Sequence, residues 1–209
     1  MNRIASQTPA QGSQFAPGPY VLAALIIIAA LTRLIPHPPN FSPIEAVALF
    51  GGAYFANRML AVAVPLIAIF ISDLVLGPLQ GGQFLAYFHD GKEYLEYFLS
   101  ARSLGIYACV ALSAMLGFGL RGKVNGARVL GYSLAGSVLF FLVTNFVVWL
   151  TAVSIVHYPA CMSGLLPCYV AALPFFQWTV LGTLFYSAIL FGGFALLRQR
   201  VPALRAQTV

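Results

Sequence analysis

The sequence predicts an all-α membrane protein, a bundle of six transmembrane helices. Two observations predict it. Only 8% of the residues are charged and 60% are hydrophobic, whereas about a quarter of an ordinary soluble domain is charged. Five acids and eleven bases do not cover the surface of a 209-residue globule. Apolar runs of about 20 residues, the length that carries a helix across the hydrocarbon core, also recur along the chain between short polar segments. The expected organisation is a tail over 1–18, a membrane domain over 19–197 and a basic tail over 198–209. No length remains for a second folded domain.

The first 18 residues are polar and rich in Gly, Ser, Pro and Gln, with Arg3 as their one charge, a composition that predicts a disordered tail. Span one is expected over 19–36. It lacks a small-residue cleavage site behind it and so reads as a retained span. Pro36-His37-Pro38-Pro39-Asn40 cannot continue a helix, because proline has no amide donor and restricts its predecessor. Span two restarts at Ser42-Pro43, a cap followed by a first-turn proline, and is short, ending near Asn57. Span three is expected over 58–77, with Pro65 as a kink. Spans two and three are almost continuous, and one long span plus a re-entrant piece is the alternative. Residues 78–101 mix Tyr87, Tyr94 and Tyr97 with Asp90, Lys92, Glu93 and Glu96, an aromatic amphipathic segment suited to a membrane interface. Spans four, five and six are expected over 102–120, 128–156 and 169–197. The polar loop 157–168 separates the last two.

Orientation follows from the bases. With both termini in the cytoplasm of a bacterial inner membrane, the inside holds Arg3, Arg58, Arg121, Lys123, Arg128, Arg198, Arg200 and Arg205, eight in all, against Arg33, Lys92 and Arg102 outside. This is the positive-inside bias. It explains the net charge of +6 without nucleic acid, for which no basic face of a soluble module exists. Glu45, Asp73, Asp90, Glu93 and Glu96 all fall at or near the outer face in this topology.

Polar groups are costly in a membrane, so their positions point to function. Arg33, His37 and Asn40 follow span one, Ser42 and Glu45 enter span two, Ser72 and Asp73 end span three, and Asn145, Trp149 and Gln177 lie in spans five and six. Together they are expected to line an outward-facing pocket for a small-molecule solute, with aromatic walls from Tyr54, Phe146, Trp149, Phe175, Phe176 and Trp178. Each has a structural alternative. Arg33 can pair with Asp73 or Glu45, Asn145 can hydrogen-bond between helices, and the tryptophans can pack or form an interfacial belt. Ala48, Gly52 and Ala56 allow close approach of another helix, inside the bundle or from another subunit. Cys161 and Cys168 share an outer loop, where a disulfide is expected; with His157 they are alternatively a weak metal set. Cys109 lies mid-span and reads as packing. The chain has no phosphate-binding Gly-rich loop, no Gly-x-Ser-x-Gly and no His-Glu-x-x-His, so it is expected to be no enzyme and to carry no cofactor or metal. The contrasting reading is a membrane accessory subunit, or a membrane enzyme acting on a lipid.

The stretches 33–55 (RLIPHPPNFSPIEAVALFGGAYF), 71–77 (ISDLVLG), 144–149 (TNFVVW), 168–176 (CYVAALPFF) and 182–187 (GTLFYS) resemble a bacterial family of uncharacterised membrane transport proteins. That family in turn is similar to the substrate-binding S components of energy-coupling factor (ECF) vitamin transporters. The resemblance implies a six-helix bundle with a vitamin-like solute held near the outer face. Its site would be built from the loop between spans one and two, the end of span three and the loop between spans five and six. It also implies a membrane coupling subunit and two ATPases as partners. Span one carries Ala23, Ala24, Ala29 and Ala30, which do not give the Ala-x-x-x-Ala docking face of many S components, so coupled and solitary transporters both stay open.

Overall fold

Helices α1 (Pro17–Leu31), α2 (Ile44–Tyr54), α3 (Arg58–Leu79), α4 (Ala101–Gly117), α5 (Gly126–Thr151), α6 (Pro159–Met162), α7 (Leu165–Ser187) and α8 (Gly193–Arg200) succeed one another along the chain. The computed structural model of the protein describes residues 17–79, 99–152, 158–201, 203 and 204, with no strand among them. One-turn 3-10 segments, Thr32–Leu34 and Phe118–Leu120, prolong α1 and α4, and a π-helical segment, Ala188–Gly192, makes α7 and α8 one rod. Residues 80–98 of the interfacial segment expected over 78–101, His157, Arg205, nearly all of the first tail and half of the last lie outside the described residues.

Four helical rods are long and apolar enough to cross a membrane: Arg58–Leu76, Ala101–Leu120, Gly126–Thr151 and Leu165–Arg200. Their exposed faces carry large apolar side chains such as Ile67, Leu104, Leu112, Met115, Leu142 and Phe185. An apolar exterior of this extent is that of a membrane protein. The other two expected spans are shorter apolar helices. The first helix with its 3-10 turn reaches only from Gly18 to Leu34. Helix α2 has 11 residues, about 16 Å of rise, or half of a hydrocarbon core of about 30 Å.

The proline-rich stretch before α2 enters the bundle as non-helical chain. Phe41 sits on the rings of Phe185 and Tyr186, 5.6 and 5.9 Å away. The Ser42 backbone presses so closely on Gly182 that a Cβ there would lie 2.7 Å from the Ser42 nitrogen. The chain therefore enters the bundle before helix begins. Asn40 supplies the one left-handed residue of this entry, at φ 66°, a conformation asparagine tolerates better than most residues.

Every residue of α2 is buried, and it packs on α1, α3, α4, α5 and α7 alike. Its closest neighbour is α4, which runs parallel to it. Gly52 meets the Ala114 carbonyl and the Gly117 Cα, and Gly117 meets Leu49. The Ala48–Gly52 face thus serves internal packing, and Ala56 lies exposed beyond the helix end. Arg121 closes α2 by donating from Nε to the Gly52 carbonyl (2.9 Å) and from Nη2 to the Phe55 carbonyl (2.8 Å), satisfying carbonyls that a helix C-terminus leaves unpaired. Asn57, Ser100 and Asn125 cap α3, α4 and α5 through their side-chain oxygens. An aromatic cluster of Phe50, Tyr54, Phe191 and Phe194 fastens the end of α2 to the terminal rod.

The bundle has two unlike ends. Arg58, Arg121, Lys123, Arg128, Arg198 and Arg200 gather at one, hereafter the basic end. The other carries Asp73, the entry loop 35–43, the start of α4 and the α6–α7 turn.

Candidate binding chamber

The polar residues singled out in the sequence divide into separate groups rather than one pocket. At the end opposite the bases, a chamber of about 340 Å³ lies between the entry loop, the first turn of α4, the end of α5 and the α6–α7 turn. Its polar lining is Asn40, Arg102, Asn145 and Tyr158, and Phe175 and Val148 contribute apolar wall. Cys161 and Cys168, bonded at 1.97 Å between sulfurs, form part of the lining and tie α6 to the first turn of α7. The Asn145 amide donates to the Phe141 carbonyl at 2.8 Å. That bond uses one of its two N–H donors and leaves the carbonyl oxygen and the second N–H for another group. Among the described residues Arg102 has no acidic partner, since the single ion pair found there is Arg33–Asp73. Arg102 was not among the residues singled out from the sequence. The signal available was a base in the first turn of a span, where it works against the helix dipole and invites an anion.

Of the eight candidate site residues, only Asn40 and Asn145 line this chamber. Arg33 and Asp73 instead form a lock between the end of α1 and α3. Arg33 Nη1 lies 2.5 Å from Asp73 Oδ1 and 2.5 Å from the Ser72 hydroxyl. The Tyr107 hydroxyl of α4 donates to Asp73 Oδ2 at 3.0 Å. The pair is four-fifths enclosed, with side chains 16% and 22% exposed. A carboxylate held by a guanidinium and a phenol on three elements is engaged in joining helices.

Glu45, expected at the outer face, is in the core. It is 2% exposed. Its Oε2 accepts from the Thr183 hydroxyl at 3.3 Å, and its Oε1 has no hydrogen-bond partner among the described residues. The physical reason is the entry loop: by dipping into the bundle before α2 begins, it starts the helix well below the surface. His37 is exposed, faces its neighbour's carbonyl at 2.9 Å and borders an apolar groove of about 410 Å³ between α1 and α7. Trp149 packs with Val148 on Ala152 and the disulfide, and its ring stacks at a tilt on Phe146, 5.6 Å away. Gln177 is exposed and donates to the Pro174 carbonyl one turn back at 3.0 Å. Of the expected aromatic walls, Phe175 lines the chamber, Phe176 packs on Phe141, and Tyr54 lies at the basic end under Arg198.

A second and larger cavity, about 730 Å³, was not anticipated. It is a crevice at the basic end between the start of α5 and the terminal rod, floored by Tyr54 and Phe191. Small residues on facing helices, Gly126 and Ser133 against Ala188, Gly192 and Ala195, are the sequence signal that marks it. Among the described residues no group of three or more His, Cys, Asp or Glu is placed to hold a metal ion.

No curated protein and no solved structure matches the chain. A family profile does, over nearly the whole length: residues 13–204 match a family of unknown function, DUF6580, and the chain belongs to that family.

Proposed function

We propose that this protein is a membrane-embedded uptake protein that captures a small anionic solute, of vitamin or vitamin-precursor size, in the 340 Å³ chamber. The observation that carries the reading is convergence: Asn40, Arg102 and Asn145 line one chamber from three separate elements. Pockets that bind small molecules are of about 300–1,000 Å³, mostly apolar, with a few such polar groups. Arg102 supplies the charge preference, because a guanidinium matches carboxylate or phosphate bidentately. In this reading the basic end and both termini face the cytoplasm of a bacterial inner membrane and the chamber faces outward. The six rods act as an S-component-type bundle in which α1 and the entry loop with α2 complete the crossings. The entry loop and the disulfide-tied turn are the parts that close over solute. A coupling subunit with ATPases, or downhill flow, supplies the energy.

The test is thermal unfolding of purified protein against a panel of anionic vitamins and precursors. A solute at 100 times its Kd stabilises by about 2.7 kcal/mol, a rise of roughly 5–10 °C for a chain of this size. Arg102→Ala should abolish the rise while leaving the unliganded melting temperature nearly unchanged. If no solute shifts the wild type, or if Arg102→Ala responds as the wild type does, the chamber is not a solute site. The apolar crevice at the basic end favours a second reading, an accessory protein that handles lipid.

A further inference from the structure

We infer that Glu45 is a proton-binding site, and that the proton it holds decides how firmly the entry loop is fastened to α7. The carboxyl sits in the first turn of α2, three residues past Ser42. The Ser42 backbone presses on Gly182, and Glu45 Oε2 lies 3.3 Å from the hydroxyl of Thr183, the next residue of α7. These adjoining contacts hold the end of the entry loop against α7. The same loop lines the chamber through Pro39 and Asn40, while Glu45 itself stands beneath it in the core, 2% exposed.

The hydrogen-bond inventory gives the carboxyl two arrangements. The Thr183 hydroxyl faces two acceptors, Glu45 Oε2 and, at 2.8 Å, the Thr179 carbonyl, and it has one proton to donate. In the anion the hydroxyl turns to Oε2 and gives up Thr179. Oε1 then shares the negative charge with no hydrogen-bond partner among the described residues, a costly state in a membrane interior. In the neutral acid both contacts are hydrogen bonds: Oε2–H donates to Thr183 Oγ1, and Thr183 donates to Thr179. Taking up one proton at Oε2 therefore removes the buried charge and completes the tie between α2 and α7. Losing it loosens that tie.

The surroundings suit a group that changes state. Thr179, Thr183 and Ser187 recur every four residues on one face of α7, and all three are buried. Ser133 of α5 joins the row, its hydroxyl 2.9 Å from that of Ser187. One turn above the row Phe175 lines the chamber, and at its foot Ser133 and Ser187 line the crevice at the basic end. Phe175 to Ser187 is about 18 Å of helix, and Glu45 meets it at Thr183, between the two openings. Charges facing the carboxyl are few. Arg33, after α1, is within electrostatic reach and is held by Asp73 of α3. From α4 the buried Cys109 thiol is within reach, and the Tyr107 hydroxyl is turned to Asp73. Helix α5 presents Gly136, where a Cβ would lie 3.9 Å from Glu45 Cβ. Beyond Thr183, α7 presents the Tyr186 hydroxyl, 2.9 Å from that of Thr32. Arg33 and the α2 N-terminus steady the anion, enclosure opposes it, and neither form is locked in.

For an anion held at Arg102 the proton is the charge-balancing companion, a consequence that rests on the uptake reading. The site itself is tested without solute, so the two readings fail separately. Infrared difference spectra of the full chain, recorded from acid to alkaline pH, should show a protonated-carboxyl C=O band that disappears as the pH rises and is absent from Glu45→Gln. Hydrogen–deuterium exchange over residues 40–47, corrected for its intrinsic pH dependence, should be about tenfold faster once the band is gone, the worth of one buried hydrogen bond. Glu45→Gln, whose amide donates to Thr183 at every pH, should keep the slow exchange throughout. Thr183→Val retains the carboxyl and removes its partner; it should move the band and leave exchange fast at every pH, and Thr183→Ser should restore both. Should Glu45→Gln fail to fold, the two Thr183 variants carry the test. A wild type without a band assignable to Glu45 overturns the inference, as does a band that no pH removes. Entry-loop exchange that ignores pH in the wild type, or follows it equally in Glu45→Gln, overturns it as well.

Discussion

Removing Arg33 separates a structural lock from a solute ligand. In Arg33→Leu, Asp73 keeps the Tyr107 hydroxyl on Oδ2 at 3.0 Å and loses the guanidinium whose Nη1 donates to its Oδ1 and to the Ser72 hydroxyl. Breaking a fully buried pair costs about 3–5 kcal/mol, and an exposed pair contributes about 0.2–1 kcal/mol. With the side chains 16% and 22% exposed, the loss should be roughly 2–3 kcal/mol, toward the buried limit discounted for partial access. For a chain of this length that is a fall of roughly 5–10 °C in melting temperature. The double variant Arg33→Leu/Asp73→Leu should recover most of it, because a well-packed apolar pair avoids the desolvation of two charges. The assay is thermal unfolding of all three proteins in one detergent, arranged as a double-mutant cycle. Losses that simply add, or an Arg33→Leu protein that melts like the wild type but no longer binds solute, would refute the lock.

Two further outcomes test the packing. Gly52→Val should collapse the yield of monodisperse protein, because its Cβ would stand 2.0 Å from the Ala114 carbonyl oxygen where ordinary contact begins at 3.4 Å. Overpacking costs about 1–3 kcal/mol, and backbone cannot rotate away as a side chain can. Gly131→Ala, with nothing within 4 Å of its Cβ, should leave size-exclusion profile and melting temperature unchanged or slightly improved, since alanine is the better helix former. Reducing Cys161–Cys168, separated by seven positions, should cost about 2–3 kcal/mol by loop entropy. Cys161→Ser should reproduce that loss and weaken solute binding, which calorimetry with and without reductant would measure.

Much of the fold was readable because the signals are local. Apolar runs marked α3, α4, α5 and α7, and Ser42-Pro43 marked the start of α2 to within two residues. The depth of α2 was not readable, because it depends on where Phe41 and Ser42 lodge against Phe185 and Gly182, contacts made across more than 130 residues of chain. Glu45 was misplaced for that reason alone. The pairing of Arg33 with Asp73 was one of the alternatives its charge allowed, and geometry selects it. Asn40, read in the loop after span one, and Asn145, read in span five, both line the chamber; they were found because a polar side chain near apolar spans is conspicuous in sequence. Arg102 had been counted only toward orientation, since a base at a span boundary has that duty in every membrane protein. The crevice escaped notice because it is defined by small side chains, and a missing volume leaves no mark in hydropathy.

The enclosure of α2 bears on how the protein is made. A segment with no lipid-facing side gains nothing by partitioning alone, and 11 residues are too few to be released sideways into the bilayer as an independent anchor. It has to wait, tethered between α1 and α3, until α4, α5 and α7 emerge and wrap it. Assembly is therefore concerted late in synthesis, and a chain interrupted before α7 would display its core to cellular quality control.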